Sequence, residues 1–433
     1  MLDPFFAIIE KILPQKYRWI LNHDGFKRYF ANTGWMFSGQ IFSLLVSFFI
    51  GAWLARYLGP ENYGILSYSI AFSGLFGFIA SLGVDGILNR DLIKFPDKRD
   101  ELLGTAFRLK LIGGFIAFTL AIFSIFIFQS DPLVKILAII FSFSFLLQSI
   151  NVINFYFQAE VKSEKNVKVV FVSTIISSVL KILAILLGWG IISIVTIYVL
   201  EALWQAIGFI VAYRSFGLKI KMWKFDNKLA KSIFKDSWPL MLASAAGFIY
   251  LRIDQVIIGS LLGSYEVGLY AVAVKLVEVW YFIPGVICAS LFPAIINAKK
   301  NSIQMYKKRL KNLYILVLAI SILIAIPITL LAKPIIYILF GSSYHESINI
   351  LRIYTWSSVG LFLGTAISQY LISENRAKVI FWLNFLAMAV NIILNFIFIP
   401  ILGLSGAAWA TLISYLIIPV VVFGGQKIKK ITN

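Results

Sequence analysis

Long apolar runs, separated by short polar or basic breaks, follow one another from residue 32 to residue 424. Each is long enough to cross about 30 Å of hydrocarbon as an α-helix, which rises about 1.5 Å per residue. We therefore predict an all-α integral membrane protein of about twelve transmembrane helices. The predicted spans are 32–55, 64–88, 105–128, 133–157, 167–188, 190–213, 236–262, 267–296, 312–332, 347–372, 377–400 and 403–424.

The two halves of the chain resemble each other. LGPENYGILSYS in the first half matches LGSYEVGLYAVA in the second, so that Gly59 and Gly64 correspond to Gly263 and Gly268. EKNVKVVF, from residue 164, likewise matches ENRAKVIF, from residue 374. Because six spans are an even number, both halves enter the membrane from the same side. This predicts two parallel six-helix bundles, related by a pseudo-twofold axis along the membrane normal.

The repeat also predicts how the chain is divided. Two six-span lobes are expected to surround a cleft and to rock against each other, which gives alternating access. The predicted segments are an amphipathic N-terminal segment (1–31), a first lobe (32–213), a basic linker (214–235), a second lobe (236–424) and a C-terminal tail (425–433). Residues 1–31 lack the continuous apolar core of a cleaved signal peptide, and either an interfacial helix or a loose tail fits them.

Composition and charge give the class and the orientation. Hydrophobic residues make up 60% of the chain and charged residues 14%, against about 25% charged in soluble domains. Of the 39 Lys and Arg residues, 32 fall on the side of the two termini and 4 on the other. The positive-inside rule therefore predicts a multi-pass protein of the cell (inner) membrane with both termini cytoplasmic. The net charge of +19 indicates attraction to anionic membrane lipids rather than to nucleic acid.

Six ionisable residues lie inside the predicted spans, where charge is costly and usually functional. These six, which lie well away from the span ends, are Lys181 and Glu201 in spans five and six, Arg252 and Asp254 in span seven, and Lys275 and Glu278 in span eight. Depth alone allows two cross-helix pairs, Asp254 with Lys275 and Arg252 with Glu278. Arg252 and Asp254 are about 200° apart around a helix, however, which argues against both pairs being ideal.

Two interpretations of these charges stay open. They are structural ion pairs, or they form a cationic lining for an anionic substrate. The matching positions of the first half are uncharged, and this asymmetry favours the second interpretation; the positions are Phe48, Ile50, Ala71 and Gly74. Arg252, Lys275 and Lys181 are then the predicted substrate-binding residues. Asp254, Glu278 and Glu201 are the predicted gating or ion-coupling residues.

Weaker candidates are polar stripes and bends. Ser173, Ser177 and Lys181 recur on span five, and Asn384, Asn391 and Asn395 recur on span eleven. Each stripe fits either a cleft lining or hydrogen bonding between helices. Asp85 and Arg90 mark the cytoplasmic end of span two, where a solvated interface is the simpler interpretation. Bends are expected at Pro284-Gly285 and at Pro327.

Several motifs are missing. No GxxxxGK[ST] phosphate loop appears, so ATP coupling within this chain is not expected. The two histidines, His23 and His345, lie outside the predicted spans, so neither a metal site nor a catalytic histidine is expected. The single cysteine, Cys288, excludes an intramolecular disulfide. We expect a transporter rather than an enzyme, without a cofactor, with coupling to H⁺ or Na⁺ left open.

Two segments resemble the lobe signatures of the polysaccharide transporter family. They are ARYLGPENYGILSYSIAF, from Ala55, and RIDQVIIGSLLGSYEVGLYAVAVKLVEVWYFIPGVICASLFPAI, from Arg252. This family belongs to the multidrug/oligosaccharidyl-lipid/polysaccharide exporter superfamily and shares the MATE-like fold. The resemblance implies a V-shaped pair of bundles around a central cavity. It also implies a substrate with a polyprenyl tail, a phosphate or pyrophosphate, and a glycan head.

The expected function is therefore a flippase for a lipid-linked oligosaccharide in surface polysaccharide or glycan assembly. It would move the headgroup from the cytoplasmic to the outer leaflet, with Arg252 and Lys275 replacing water around the phosphates. Partners would be the lipid-linked substrate, anionic lipids and glycan-assembly enzymes. The alternatives are a proton- or sodium-coupled MATE-type multidrug exporter and a membrane-embedded enzyme of glycan assembly.

Overall fold

A computed structural model describes the backbone of residues 24–374 and 376–431, and the side chains of these residues except 24–31, 301, 377 and 425–431. Its longer elements are all helices. They are α1 (Asp24–Gly74), α2 (Gly77–Ser81), α3 (Val84–Lys94), α4 (Arg99–Phe128), α5 (Pro132–Ser142), α6 (Ser144–Leu147), α7 (Val152–Ala159), α8 (Ser163–Leu186), α9 (Ile191–Arg214), α10 (Asn227–Leu261), α11 (Ser264–Glu278), α12 (Phe282–Asn301), α13 (Ile303–Leu330), α14 (Ala332–Leu339), α15 (Ser347–Tyr354), α16 (Ser357–Ser373), α17 (Ala377–Leu402) and α18 (Leu404–Ile431). On the predicted division of the chain, helices α1–α9 belong to the first bundle and α10–α18 to the second.

The predicted repeat has the same backbone turn in both halves. Gly59 bends α1 with φ 71° and ψ 171°, and Gly263 separates α10 from α11 with φ 114° and ψ 178°. Side chains other than glycine rarely adopt these positive φ values. Each glycine therefore marks the tip of a helical hairpin at the position that the sequence repeat predicts.

The described residues contain eleven helical segments long and apolar enough to span a membrane. The first of them, Asn32–Gly74, contains span one and the beginning of span two on either side of Gly59. The rest of span two is divided between α2 and α3. Span two is therefore the predicted crossing that has no segment of its own among these eleven.

Four of the predicted spans are interrupted, and one of them is span ten, which is divided between α15 and α16. Span two breaks at Leu82 and Gly83, which both have positive φ, and span four is divided among α5, α6 and α7. Span eight breaks between Glu278 and Phe282, before the bend expected at Pro284-Gly285. Pro284 is the third residue of α12 and has no N–H to continue the preceding helix, so the break lies on its N-terminal side. The other expected bend site, Pro327, lies within the continuous helix α13.

Several helices extend beyond the predicted spans. α10 begins at Asn227 rather than 236, α13 at Ile303 rather than 312, and α18 ends at Ile431 rather than 424. Apolar runs mark the hydrocarbon thickness, whereas helical hydrogen bonding continues into the basic flanks. The linker 214–235 thus contains a loop and the first turns of α10. The predicted segment 1–31 lies largely outside the described residues, and the lobe boundaries stay predictions.

The two bundles meet most closely where α1 crosses α11. A Cβ atom added to Gly64 would overlap the carbonyl oxygen of Ser264, and one added to Gly268 would overlap that of Pro60. The matching glycines of the repeat therefore pack against each other, as small residues do where membrane helices cross. We call this contact the glycine crossing. It lies near the hairpin tips, at the membrane side opposite the Lys- and Arg-rich loops.

Further contacts join the bundles on this opposite side. The Tyr344 hydroxyl donates a hydrogen bond to the Ala55 carbonyl oxygen at 2.7 Å, and Arg56 donates one to the Ile338 carbonyl oxygen at 3.4 Å. Toward the other side, which we call the basic side, α10 packs against helices of both bundles. The contacts between the bundles on the opposite side thus close the central cavities toward that side.

Candidate functional site

The first central cavity, which we call the lysine cavity, has a volume of about 420 Å³. Lys181 of α8 and Glu201 of α9 form an ion pair there, with 3.0 Å between Nζ and Oε2. The same carboxylate accepts a hydrogen bond from Ser177 at 2.7 Å, and the ammonium lies 3.8 Å from the ring centroid of Tyr198. The stripe predicted on span five thus serves two purposes, because Ser177 joins helices and Lys181 lines the cavity.

Lys275 of α11 reaches from the second bundle toward the first. Its Nζ lies so close above Gly51 of α1 that any side chain there would overlap the ammonium. Lys275 makes no ion pair or hydrogen bond with another described residue. An ammonium without a counterion is costly at membrane depth. Lys275 is therefore the residue of the site that would be stabilised most by a bound anion.

The second central cavity, the arginine cavity, has a volume of about 430 Å³. Arg252 of α10 and Glu278 of α11 form an ion pair across it at 3.2 Å. Ser47, Tyr198 and Lys275 line both central cavities, so Lys275 stands where they join. Of the two pairs that depth allows, the structure contains Arg252–Glu278, and it brings all three predicted substrate-binding cations to two adjoining cavities.

The other pair allowed by depth, Asp254 with Lys275, does not form. Asp254 is 3% exposed and accepts hydrogen bonds from the Tyr270 hydroxyl at 2.6 Å and its neighbour's backbone N–H at 2.8 Å. Tyr270 also lies 3.3 Å from Thr411 of α18. Asp254 and Lys275 therefore face different surroundings, as the angle between positions 252 and 254 suggests.

Asn391 and Asn395 lie in α17, away from the two central cavities. The Asn395 amide nitrogen donates hydrogen bonds to the backbone carbonyl oxygen of Asn391 at 2.9 Å and to its side-chain oxygen at 3.1 Å. The Asn391 amide nitrogen and the Asn395 side-chain oxygen are buried and find no partner among the described residues. At the repeat spacing of residues 164 and 374, Lys181 corresponds to Asn391 and Glu201 to Thr411. The second bundle thus carries neutral groups where the first carries an ion pair.

The two candidates at the end of span two have different partners. Arg90 is half-exposed and bridges Asp91 of the first bundle, at 2.8 Å, and Asp236 of the second, at 2.9 Å. Asp85 instead accepts a 2.6 Å contact from Lys110. Lys110 falls near the start of predicted span three (105–128), and the structure buries it within α4. A residue near the end of an apolar run can be covered when a broken helix packs over it.

Sequence reasoning missed a stripe of amides on span four. Gln148 and Asn151 begin and end a 3₁₀ turn, where side chains three residues apart eclipse each other. Asn154 and Gln158 continue the stripe along α7. The spacing of three, three and four residues was visible in the sequence as a polar face on an otherwise apolar segment. Gln148 and Asn151 line the lysine cavity together with Gln205 of α9.

The profile of a family described as polysaccharide biosynthesis protein matches residues 53–349. The chain belongs to this family. The match runs from α1 through the glycine crossing and both central cavities into α15, and so includes all six intramembrane charges.

Two curated relatives have names that refer to glycan or polysaccharide biosynthesis. The chain is 23% identical to a probable low-salt glycan biosynthesis flippase, Agl15, of Haloferax volcanii, over 88% of this chain and 79% of the relative. It is 24% identical to the capsular polysaccharide biosynthesis protein CapF of Staphylococcus aureus, over 88% of this chain and 95% of the relative.

Solved structures confirm the fold. The lipid II flippase MurJ in an inward closed conformation matches with a TM-score of 0.73 at 19% identity, over 90% of this chain and 86% of that one. A MATE family multidrug transporter in an inward-facing conformation matches with a TM-score of 0.69 at 16% identity, over 90% and 95%. The fold is therefore the MATE-like arrangement of two parallel bundles.

Proposed function

We propose that this protein is a flippase that moves a polyprenyl-(pyro)phosphate-linked oligosaccharide from the cytoplasmic to the outer leaflet of the cell membrane by alternating access. The observation that carries the proposal is the unpaired Lys275 ammonium, held above Gly51 where the two central cavities join. A phosphate in the membrane needs charged donors to replace its water. Membership of a polysaccharide biosynthesis family and the names of the relatives support the same substrate class.

Arg252 and Lys181 are the proposed neighbours of this phosphate site. Each is already paired, Arg252 with Glu278 and Lys181 with Glu201. A pyrophosphate that enters would compete with these carboxylates for the cations. Glu278 and Glu201 are therefore proposed to act as gating residues, which exchange partners when substrate binds and leaves.

The orientation and the coupling ion belong to the same proposal. The basic side is taken as cytoplasmic on the positive-inside rule, where its charge would also attract anionic lipids and favour contact with glycan-assembly enzymes. Asp254 is buried away from the substrate cations and has no basic partner within hydrogen-bond distance among the described residues. We propose it as the site where H⁺ or Na⁺ binding couples to bundle movement.

A MATE-type exporter of organic cations is less well supported. An unpaired carboxylate in the central cavities would favour it. The carboxylates that line the lysine and arginine cavities are Glu201 and Glu278, and both are paired. The unpaired charge is instead positive, which repels an organic cation.

The test replaces Lys275 by Met in a host that depends on this protein for surface glycan. Loss of one charge-assisted contact is expected to lower glycan export about ten- to a hundredfold at unchanged protein level. Gly51→Val should give the same defect, because it displaces the ammonium without removing the charge. Lys333→Met, on the opposite side, is the matched control. Normal surface glycan in the Lys275→Met and Gly51→Val strains would overturn the proposed site.

A further inference from the structure

We infer that the uncharged sugars of the headgroup bind along amide side chains of the first bundle, beside the phosphate site. We call Gln148, Asn151, Asn154 and Gln205 the amide corridor. This inference rests on the proposed function and deepens it, because it names the lobe, the residues and the chemical class of sugar.

The corridor joins cavities that are otherwise separate. Gln148 and Asn151 line the lysine cavity and also a third cavity of about 320 Å³, which extends to the Asp85–Lys110 pair. Asn154 lines that third cavity and a fourth of about 130 Å³ between α1, α7 and α8. A continuous line of amides thus runs from the proposed phosphate site toward the basic side.

These amides are not used to hold helices together. Gln148, Asn151 and Gln205 form no side-chain hydrogen bond within the described part of the chain, and only Asn154 has an amide partner, Gln158, at 3.1 Å. Each side-chain amide offers two N–H donors and an acceptor oxygen. Such groups suit sugar hydroxyls, which both donate and accept.

Buried polar atoms beside the corridor also lack partners. Ser144 lines the lysine cavity at 5% exposure, and Asn166 and Ser163 line the fourth cavity at 6% and 1%. The Ser144 and Ser163 hydroxyls and the Asn166 side-chain oxygen make no hydrogen bond to a described residue. Buried polar atoms without partners are uncommon in folded proteins. They point to a polar ligand in these cavities.

Charge and asymmetry define the ligand class. Of the cations that line the corridor cavities, Lys110 and Lys181 are each neutralised by a carboxylate, and the unpaired Lys275 is the proposed phosphate ligand at the end of the corridor. The rest of the corridor therefore favours uncharged sugars. At the spacing of residues 164 and 374, the positions that correspond to Gln148, Asn151 and Asn154 are Ser358, Leu361 and Gly364. A scaffold role for the amides would be expected in both bundles.

The test compares two lipids bound to the purified full-length protein in nanodiscs, by native mass spectrometry. One is a polyprenyl pyrophosphate, and the other is the same lipid carrying two N-acetylglucosamine residues. The wild type should prefer the glycosylated lipid. Asn151→Leu and Gln148→Leu should each reduce this preference about three- to tenfold, the loss of one or two hydrogen bonds, without changing affinity for the bare lipid.

Two further variants distinguish failure of this inference from failure of the proposed function. Asn349→Leu, an exposed amide on the opposite side, should keep the wild-type preference, and Lys275→Met should weaken both lipids by the same factor. An unchanged preference in the corridor variants, or no preference in the wild type, would overturn the inference alone. Binding of neither lipid to the wild type, or equal binding to wild type and Lys275→Met, would instead count against the proposed function. Thermal unfolding midpoints establish that the variants are folded.

Discussion

At the residue scale, the six intramembrane charges have unequal surroundings. Two acids and two bases neutralise each other in pairs, whereas Lys275 and Asp254 have no ionic partner within bonding distance among the described residues. Lys275 faces the central cavities, and Asp254 faces the interior of the second bundle, next to Tyr270. This separation suits two different ligands, an anionic substrate and a small cation.

Asp254→Asn tests the role of the buried carboxylate. The amide oxygen can still accept the Tyr270 hydrogen bond, so the change removes charge with little change of shape. Flipping of a fluorescent polyprenyl-pyrophosphate glycolipid in proteoliposomes should respond to a proton or sodium gradient in the wild type. The variant should flip at the rate that the wild type shows without a gradient.

Glu266→Gln, at the first turn of α11 on the opposite side, is the control and should keep the gradient response. A gradient response that survives in Asp254→Asn would show that coupling lies elsewhere. A wild type that ignores both gradients would mean that transport is passive.

At the element scale, one glycine pair sets the distance between the bundles on the opposite side. Gly64 and Gly268 allow backbone-to-backbone contact between α1 and α11, and a methyl group at either position would overlap a carbonyl oxygen. The contact is symmetric because Gly64 and Gly268 occupy the same position in the two repeats. A close crossing of this kind seals the cavities on the opposite side without long side chains.

Gly64→Ala is therefore expected to push the bundles apart and to destabilise this conformation by about 1–3 kcal/mol, a typical cost of overpacking. We expect a lower thermal unfolding midpoint. A cysteine at Ser67, in the arginine cavity, should also react faster with an impermeant thiol reagent added to the opposite side, in a Cys288→Ser background.

Gly86→Ala is the matched control, because a methyl group there would meet no atom within 4 Å. It should leave both the midpoint and the labelling rate close to those of the parent. If Gly64→Ala behaves like Gly86→Ala, the crossing does not control access to the cavity.

At the scale of the whole molecule, the contacts on the opposite side must break if the cavities are to open there. The glycine crossing, the Tyr344 hydrogen bond to Ala55 and the Arg56 hydrogen bond to Ile338 all join the two bundles on that side. On the basic side, Arg90 joins Asp236 through an exposed ion pair, which contributes only about 0–1 kcal/mol. Gly83, which precedes α3, also packs against the backbone of α10 at Ser237 and Met241, so the described residues join the bundles on the basic side as well.

Cross-linking the two bundles to each other on the opposite side should stop transport. Cysteines at Arg56 and Ile338, in a Cys288→Ser background, are close enough for a short bifunctional thiol cross-linker. We expect cross-linking to abolish flipping and a reducible linker to restore it after reduction. A monofunctional reagent of the same chemistry should have little effect. Full activity of the cross-linked protein would contradict alternating access through this gap.

The sequence was sufficient for much of this architecture. The length of the apolar runs and the repeat around Gly59 and Gly263 were predicted, and Arg252–Glu278 was one of the two ion pairs that depth allowed. Span length, helical spacing and duplication can all be read from the order of residues along the chain. The identities of the three cavity cations were predicted for a related reason, since charge is rare inside membrane spans.

Other features were decided only by tertiary structure. The breaks at Leu82-Gly83 and before Phe282, the burial of Lys110 and the separation of Asp254 from Lys275 depend on which helix packs over which. The role of Gly51 depends on Lys275 lying above it, and that of the amide corridor on the three cavities that meet along it. Hydropathy measures the tendency of a side chain to leave water, but it does not identify the neighbours of that side chain in the folded protein. Those neighbours decide whether a buried charge is paired or free to bind substrate.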